Sequence, residues 1–331
     1  MSQYPLARRG PRAIVLLAAC AAALAACGGG SGGGGGSSKA GAPATLKVGT
    51  IPIADVAPLY LGIKKGFFAA QKLTIKPQLA QGGAAIVTSV MSGGDQIGFS
   101  NVTSLLIAGS KGLPVQIVAS GVLAAADRAH AWDALFVPKG SPITTPKQLE
   151  GKTIAVNNLN NVGPLTINTA LSQMGVDYHK VKYVEVDFPD MPAALASHRV
   201  DAAWMVEPFV SVVKAAGGKV LANPFEQTAP NLTIATYFAT KEYIASHQDV
   251  MKRFKTAMDK SLDYAESHPD EVRKIVLTYT KIPPKAAQHM SLPTWRSDLN
   301  LPTIQKTAQL AQKYGFAPKA PNLDQLIWKG Q

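Results

Sequence analysis

Short β-rich runs alternate with stretches of helical periodicity from residue 46 to about residue 240, and this alternation constrains the fold more than any other feature of the chain. Residues 46–53 and 75–79 have the composition of strands, and residues 58–68 between them carry apolar side chains at a spacing of four. Regular alternation of strands and helices is typical of parallel βα units. We therefore predict an α/β fold.

The alternating pattern divides into two series. A turn cluster at residues 138–142 separates the first series of strands and helices from a second, and beyond residue 240 the periodicity is helical throughout. A strand near residue 236 is predicted to return to the first series. We expect lobe I to comprise residues 46–133 plus 236–331 and lobe II to comprise residues 134–235, and the 331 residues are enough for two such cores.

The first residues are typical of an export signal. An apolar run of 14 residues, 13–26, follows three arginines, Arg8, Arg9 and Arg12. The run is shorter than the about 20 residues that a membrane-spanning helix needs, and it fits the apolar core of a secretory signal. We therefore predict that residues 1–26 form a signal peptide; the general secretory route and the twin-arginine route both stay open.

The predicted signal ends in Leu24-Ala25-Ala26-Cys27, which resembles a bacterial lipobox, in which the cysteine becomes lipidated and then begins the mature chain. Leu17-Ala18-Ala19-Cys20 also fits, but cleavage there would leave an apolar run of only about seven residues. Residues 27–45 consist mostly of Gly, Ser, Ala and Pro, which cannot bury a core. We expect lipidation at Cys27 and a flexible tether that holds the body at the membrane.

Charge and cysteine content argue against several classes of function. The net charge is +12, or +9 without the signal, but the lysines are scattered and do not form the patch that nucleic-acid binding requires. The two cysteines are Cys20 and Cys27, so the body has no disulfide and no thiol chemistry. The six histidines show no metal-ligand spacing. We expect no nucleic acid, no metal and no cofactor, and a monomer.

Several short motifs occur in a defined order along the chain. They are VGTIP at 48–52, APLY at 57–60, KKGFF at 64–68, QGG at 81–83, SGGDQIG at 92–98, LEGKTIAV at 149–156, VDAA at 200–203 and Glu-Pro at 207–208. Their order and spacing resemble the substrate-binding proteins of nitrate, sulfonate and taurine ABC importers, whose relatives include thiamine-pyrimidine-binding proteins. The resemblance implies a type II periplasmic binding protein fold, with two lobes of mostly parallel sheet, flanking helices and a ligand cleft between the lobes.

Loops at the carboxyl ends of the predicted strands are the expected ligand contacts in lobe I, since open parallel sheets bind ligands there. Free N–H groups at the following helix starts also favour polar ligand atoms. The candidates are Asp55, Ala57, Tyr60, Gln81, Gly82, Gly83, Asn101 and Thr103. Structural alternatives stay open. Asp55 can cap a helix, Tyr60 can pack in the core, and the glycines can form a tight turn. One side chain of the loop at residues 100–103 must be an N-cap.

The candidates in and beside lobe II are Trp132 at the predicted first crossover, Asn160 and Asn161 in an amide-rich loop, and Phe188 and Glu207 at strand ends. Packing is the alternative for Trp132 and a solvated loop for the amides. For Glu207 the alternatives are a charge at a helix start and a lobe–lobe hydrogen bond.

The ligand class follows from the charges of these loops. They contain no Lys or Arg, so an anion would lack a bidentate partner, and Asp55 and Glu207 would repel it. This balance favours an organic ligand with a donor or a ring over nitrate. Sulfonates, taurine-like zwitterions, aromatic acids and aminopyrimidines all remain open.

The predicted function is a lipid-anchored, extracytoplasmic binding protein that captures its ligand by lobe closure and delivers it to a permease and its ATPases. It would face the periplasm or the cell exterior. A ligand sensor is one alternative. An enzyme of the pyrimidine synthase or desulfinase-like branch is another, but the resemblance implies cysteine-dependent chemistry for both, and no cysteine follows Cys27. We therefore expect no enzymatic activity.

Overall fold

The computed structural model describes residues 40–319 and 322–330. The predicted signal peptide, Cys27 and the predicted tether up to residue 39 lie outside the described residues. From there the chain contacts the body: the backbone N–H of Gly41 donates to Asp249 Oδ2 at 3.0 Å, and Arg253 Nη2 donates to the carbonyl of Ala42 at 2.9 Å. The last residues of the predicted tether are thus held against the protein.

The first of two five-stranded sheets combines the first four strands with the last one. Its strands are Ala44–Thr50 (β1), Leu73–Leu79 (β2), Ile97–Asn101 (β3), Val115–Leu123 (β4) and Thr233–Thr240 (β10). They lie in the order β2-β1-β3-β10-β4. β1 is parallel to β2 and β3. β10, which returns to this sheet after the second sheet, runs antiparallel to β3 and β4.

The second sheet is built in the same way. Its strands are Asp133–Val137 (β5), Thr153–Val156 (β6), Lys182–Glu185 (β7), Ala202–Val206 (β8) and Lys219–Ala222 (β9), in the order β7-β6-β8-β5-β9. β6 is parallel to β7 and β8, and β5 is antiparallel to β8 and β9. The predicted two-sheet α/β architecture is confirmed, with one reversed strand inside each sheet. The residue boundaries predicted for the lobes remain a proposal.

Helices flank both sheets. They are Ala57–Lys64 (α1), Phe67–Ala70 (α2), Gly83–Met91 (α3), Val102–Ser110 (α4), Val162–Gln173 (α5), Met191–Ala196 (α6), Phe209–Ala215 (α7), Pro224–Thr228 (α8), Lys241–Ser246 (α9), Gln248–Ser267 (α10), Pro269–Val276 (α11), Pro284–His289 (α12), Leu301–Lys313 (α13) and Leu323–Leu326 (α14). None of the helices in the described ranges is long and apolar enough to cross a bilayer.

Two details of the helices differ from the sequence prediction. The helix expected over residues 58–68 is two helices, because Gly66 between α1 and α2 adopts φ 76°, a left-handed conformation that glycine enters without a steric penalty. The spacing of Ser246 and Asp249 is typical of a capping box at the start of the long helix α10. That interpretation is wrong, since Ser246 is the last residue of α9 and its hydroxyl donates to the carbonyl of Glu242.

The buried core runs through both sheets and includes large aromatic side chains such as Trp132, Phe136 and Tyr237. A small separate cluster joins Leu165 of α5 to Ala311 of α13 and to Ala317. α13 also packs on α4. Since α4 follows a strand of the first sheet and α5 follows a strand of the second, α13 contacts helices from both halves of the molecule. The two halves of the molecule are therefore connected by the C-terminal region as well as by the two chain crossings.

Candidate ligand-binding cleft

A cavity of about 30 Å³ lies between the two sheets. Its walls come from both sheets: Ile51, Ile53, Asp55, Phe99, Asn101, Asn157, Asn161, Val162, Phe188, Trp204, Val206, Phe225, Ile234 and Ala235. A space of this size has room for two or three water molecules, since a buried water needs about 10–15 Å³. A ligand of several heavy atoms therefore requires the walls to move apart.

Aromatic side chains form much of the wall on the side of the second sheet. The rings of Phe188 and Trp204 have centroids 5.9 Å apart, and Phe225 meets Trp204 edge-on at 5.5 Å. The indole N–H of Trp204 donates to Asp133 Oδ2 at 2.8 Å, and this bond fixes the ring. Phe99 adds an aromatic face from the first sheet. These faces suit a flat, apolar part of a ligand.

Three amides face the cavity, and protein contacts determine which of their atoms remain for a ligand. Asn101 caps α4, since its side-chain oxygen accepts from Ser104 N at 2.9 Å. Asn157 uses its oxygen to accept from Asn161 Nδ2 at 2.9 Å, and Asn161 caps α5. The amide NH₂ groups of Asn101 and Asn157, one from each lobe, are therefore the donors that a ligand acceptor can meet.

The glycine pair before α3 lies against these two NH₂ groups. A Cβ on Gly83 would lie 2.9 Å from Asn101 Nδ2 and 2.3 Å from Ser100 Oγ. A Cβ on Gly82 would lie 3.2 Å from Asn157 Nδ2. Gly82 has an extended backbone that any residue adopts, with φ −176°. The absence of side chains at these two positions therefore permits close approach of the amides.

Asp55 supplies the acidic group of the cavity. It lies in the short turn before α1 and is 3% exposed, and its Oδ1 has no hydrogen-bond partner among the described residues. Burial raises the pKa of this carboxyl to about 8. A buried carboxyl oxygen without a protein donor is ready to accept from a ligand N–H.

A cluster of tyrosines lies beside Asp55. Tyr60 stacks on Tyr279 with ring centroids 4.0 Å apart, and the Tyr279 hydroxyl donates to the carbonyl of Ile53 at 3.1 Å. Burial raises the pKa of Tyr237 and of Tyr279 well above the usual range. These rings are neutral donors, and they add no positive charge to compensate Asp55.

The remaining predicted residues lie elsewhere. Trp132 is fully buried, packs edge-on against Phe225 at 5.0 Å and donates its indole N–H to the carbonyl of Leu123, and it is not part of the cavity wall. Ala57 and Thr103 are buried in the first turns of α1 and α4. Among the predicted residues, the cavity wall contains Asp55, Asn101, Asn161 and Phe188.

The cleft mouth, which we define as Gln81, Gly82, Asn158, Asn160 and Asp187, brings the two halves into direct contact. The side-chain amide of Gln81 donates to Asp187 Oδ2 at 2.9 Å. The hydroxyl of Ser104 approaches the carbonyl of Asn160 at 3.4 Å. A Cβ on Gly82 would lie 4.0 Å from Cβ of Asn158. The structure is thus closed over the cavity.

Sequence reasoning missed several residues of the wall. Trp204 lies in β8 and Phe99 in β3, both strands without exposed residues, and Phe225 lies in the short helix α8; no local pattern distinguishes these residues from ordinary core residues. The one signal that pointed to Asn157 was its place in the amide-rich loop. The aromatic wall could not be found without knowing which face of β8 points to the other lobe.

Glu207 is fully buried at the end of β8 and is bonded within the protein. Its carboxylate accepts from Ser211 N at 3.0 Å, from Ser211 Oγ at 2.9 Å and from Ser291 N at 3.1 Å. Its carbonyl accepts from Ala54 N at 3.0 Å. Burial raises the pKa of the carboxyl to about 7. Glu207 therefore ties the second sheet to the turn at Ala54 before α1 and to the segment between α12 and α13.

Glu207→Ala is expected to lower the free energy of unfolding by about 3 kcal/mol, because it leaves the two buried donors of Ser211 and the half-buried N–H of Ser291 without an acceptor. Glu207→Gln keeps an acceptor oxygen, so its free energy of unfolding should fall clearly less than that of Glu207→Ala. Urea unfolding followed by tryptophan fluorescence measures both. An alanine variant as stable as the wild type would show that these hydrogen bonds do not hold the segments together.

Comparison with known sequences places the chain beside solute-binding proteins. A family model described as NMT1/THI5 like matches residues 53–272. The taurine-binding periplasmic protein of Escherichia coli K12 is 31% identical over 193 residues, covering 57% of this chain and 56% of that protein. The formylaminopyrimidine-binding protein of Halalkalibacterium halodurans is 25% identical over 225 residues, covering 66% and 65%. The chain thus spans less than two thirds of the length of these relatives.

Solved structures resemble the fold over most of the chain. The alkanesulfonate-binding protein SsuA of Xanthomonas axonopodis pv. citri bound to MOPS superimposes with a TM-score of 0.72 at 18% identity, covering 86% of this chain and 98% of that one. The nitrate-binding protein NrtA of Synechocystis PCC 6803 gives 0.72 at 14% identity, with 86% of each chain covered. At these identities the likeness shows the fold, and the expected two-lobed periplasmic binding protein architecture is confirmed.

Proposed function

The chain belongs to the NMT1/THI5-like family, and on that premise we propose that it is the extracytoplasmic solute-binding protein of an ABC importer. The observation that carries the proposal is a cavity whose walls come from both sheets, with the two halves in contact at its mouth. A ligand that contacts both walls stabilises the closed form over the open one, and this difference is what a transporter can recognise.

The chemistry of the cavity favours one of the four ligand classes that the sequence left open. Its wall offers a carboxyl acceptor at Asp55, amide donors at Asn101 and Asn157, and aromatic faces. No Lys or Arg occurs among the described residues of this wall. A sulfonate, nitrate or carboxylate would meet a carboxyl group and no cation. A flat nitrogen heterocycle with an exocyclic amino group, such as an aminopyrimidine, matches both the donors and the acceptor.

The likeness to binding proteins supports the rest of the assignment. We propose that the protein acts without enzymatic turnover, that it delivers its ligand to a permease with cytosolic ATPases, and that Cys27 carries the lipid that anchors it outside the cytoplasmic membrane. The chain is hydrogen-bonded to the body from Gly41 onward, so a tether between Cys27 and Gly41 would be 13 residues long. Such a chain lets the body reach a permease beside its anchor.

A thermal-shift screen of residues 28–331 tests the proposal. The panel contains aminopyrimidines, alkanesulfonates, taurine, aromatic carboxylates and nitrate. We expect aminopyrimidines to raise the melting temperature in a concentration-dependent way and to be recovered unchanged, since a ligand that binds the folded state stabilises it by mass action. A shift with sulfonates alone would contradict the ligand class, and chemical conversion of a compound would contradict the absence of catalysis.

A further inference from the structure

The cleft mouth contains a hydrogen bond that joins the lobes outside the cavity. Gln81 lies in the loop between β2 and α3 and is exposed, and Asp187 follows β7 and is half-buried. Gln81 Nε2 donates to Asp187 Oδ2 at 2.9 Å across 106 sequence positions. Neither residue belongs to the cavity wall. The bond therefore forms when the lobes are closed, whatever the cavity holds.

The backbone next to this bond allows the lobes to come this close. Gly82 has no side chain, and a Cβ there would already lie within 3.2 Å of Asn157 Nδ2 on the other lobe. Its extended backbone would accept any residue. Glycine at this position therefore serves the approach of the lobes, which places Gln81 within reach of Asp187.

We infer that Gln81 and Asp187 form a latch that holds the lobes closed and thereby sets how long a ligand stays bound. The inference rests on the proposed function in that it assumes lobe closure. It changes the role of Gln81, which the sequence placed among the ligand contacts, to that of a positioning residue. An amide–carboxylate bond at a solvated site is expected to change the ratio of closed to open molecules by about 3- to 10-fold.

The latch can be broken and rebuilt by exchanging its two chemical groups. Gln81→Glu places two carboxylates against each other and should favour the open form. Adding Asp187→Asn restores one amide and one carboxylate in the reversed order, and should restore closure. Gln78→Glu is the matched control, since Gln78 is exposed on β2 and its side-chain amide lies 3.5 Å from the carbonyl of Lys76 in the same strand.

Distances between spin labels on the two lobes report closure without any ligand. Cysteines at Thr88 in α3 and Ala196 in α6, both exposed, take the labels in the mature chain with Cys27 replaced by serine. We expect Gln81→Glu to lower the ratio of molecules with the short distance (closed) to molecules with the long distance (open) by about 3- to 10-fold. The double variant should return to the short distance, and Gln78→Glu should not change it.

Two results would overturn the latch: a wild type that shows only the long distance, or a double variant that stays as open as Gln81→Glu. Both are independent of the ligand, so failure of the compound panel would leave the latch standing. If an aminopyrimidine binds, its dissociation rate should rise by the same 3- to 10-fold in Gln81→Glu and return in the double variant. An unchanged dissociation rate in Gln81→Glu would also contradict the latch.

Discussion

Oxidation of a Gly82→Cys/Asn158→Cys variant is expected to lock the cleft shut and to stop ligand exchange. A Cβ on Gly82 lies 4.0 Å from Cβ of Asn158, within the roughly 3.5–4.5 Å that disulfides adopt. The backbone of Gly82 is extended and accepts a cysteine, and the Asn157 amide must give way by a few tenths of an ångström. The body contains no other cysteine, so the pair forms without competition once Cys27 is replaced.

The locked variant should exchange an added ligand at least about 100-fold more slowly than its reduced form, since entry requires the walls to separate. It should also gain about 4 kcal/mol in stability, because the new bond closes a loop of about 76 residues. Dissociation kinetics of the best compound, with and without dithiothreitol, measure the exchange rate, and thermal shift without ligand measures the gain in stability. Gly82→Cys alone is the control. Equal exchange in the oxidised and reduced forms would show that ligand enters without lobe opening.

Asp55→Asn is expected to weaken binding of an aminopyrimidine by about 10- to 150-fold. The substitution keeps the shape of the side chain and one oxygen, but it removes a carboxyl group that can give up its proton and accept as a carboxylate once a ligand N–H donates to it. Isothermal titration of the purified variant measures the change. Unchanged affinity would exclude Asp55 as the acceptor, and binding of a sulfonate gained by the variant would show that its charge excludes anions.

The same substitution should make the protein more stable at high pH. Burial raises the pKa of Asp55 from 3.8 to about 8, so the folded state binds a proton more tightly than the unfolded state. The resulting stabilisation is complete below about pH 4 and is lost as the pH rises through 8. Asn cannot ionise, so the stability of the variant relative to the wild type should increase as the pH rises from about 4 to about 8.

The gain should reach a few kcal/mol near pH 9 and vanish near pH 4, at about 1.4 kcal/mol per unit of pKa difference. Glu207 titrates in both proteins, so the comparison cancels its contribution. Urea unfolding at both pH values gives the difference directly. A variant that is both more stable and weaker in binding would identify Asp55 as a residue retained for function. A constant difference at all pH values would mean that Asp55 is not buried in its protonated form.

Local patterns predicted the elements well, because strand and helix periodicities are properties of neighbouring residues. β1 and β2 cover most of the two runs, 46–53 and 75–79, that have the composition of strands, and the ends of the strands of the first sheet supplied Asp55 and Asn101 to the cavity wall. The direction of β10 was not evident, since it depends on pairing with β4, about 110 residues earlier.

Contacts between distant segments account for what the sequence could not predict in the site. Gln81 was expected to face a ligand, and its partner Asp187 lies 106 positions away. The carboxylate of Glu207 is held by Ser291, which no local motif connects to it. Trp204 has the surroundings of an ordinary core residue along the chain, and it borders the cavity because of how the two sheets face each other.

The order of the first sheet also bears on when the chain can fold during synthesis. β4 pairs with β10 alone among the described strands, and β10 leaves a ribosome about 110 residues after β4. At roughly 5–20 residues per second, β4 therefore waits several seconds for its partner. During that time the first sheet is incomplete and its half of the molecule cannot reach its native state. An inserted strand of this kind keeps the first sheet incomplete until all strands of the second sheet have been synthesised.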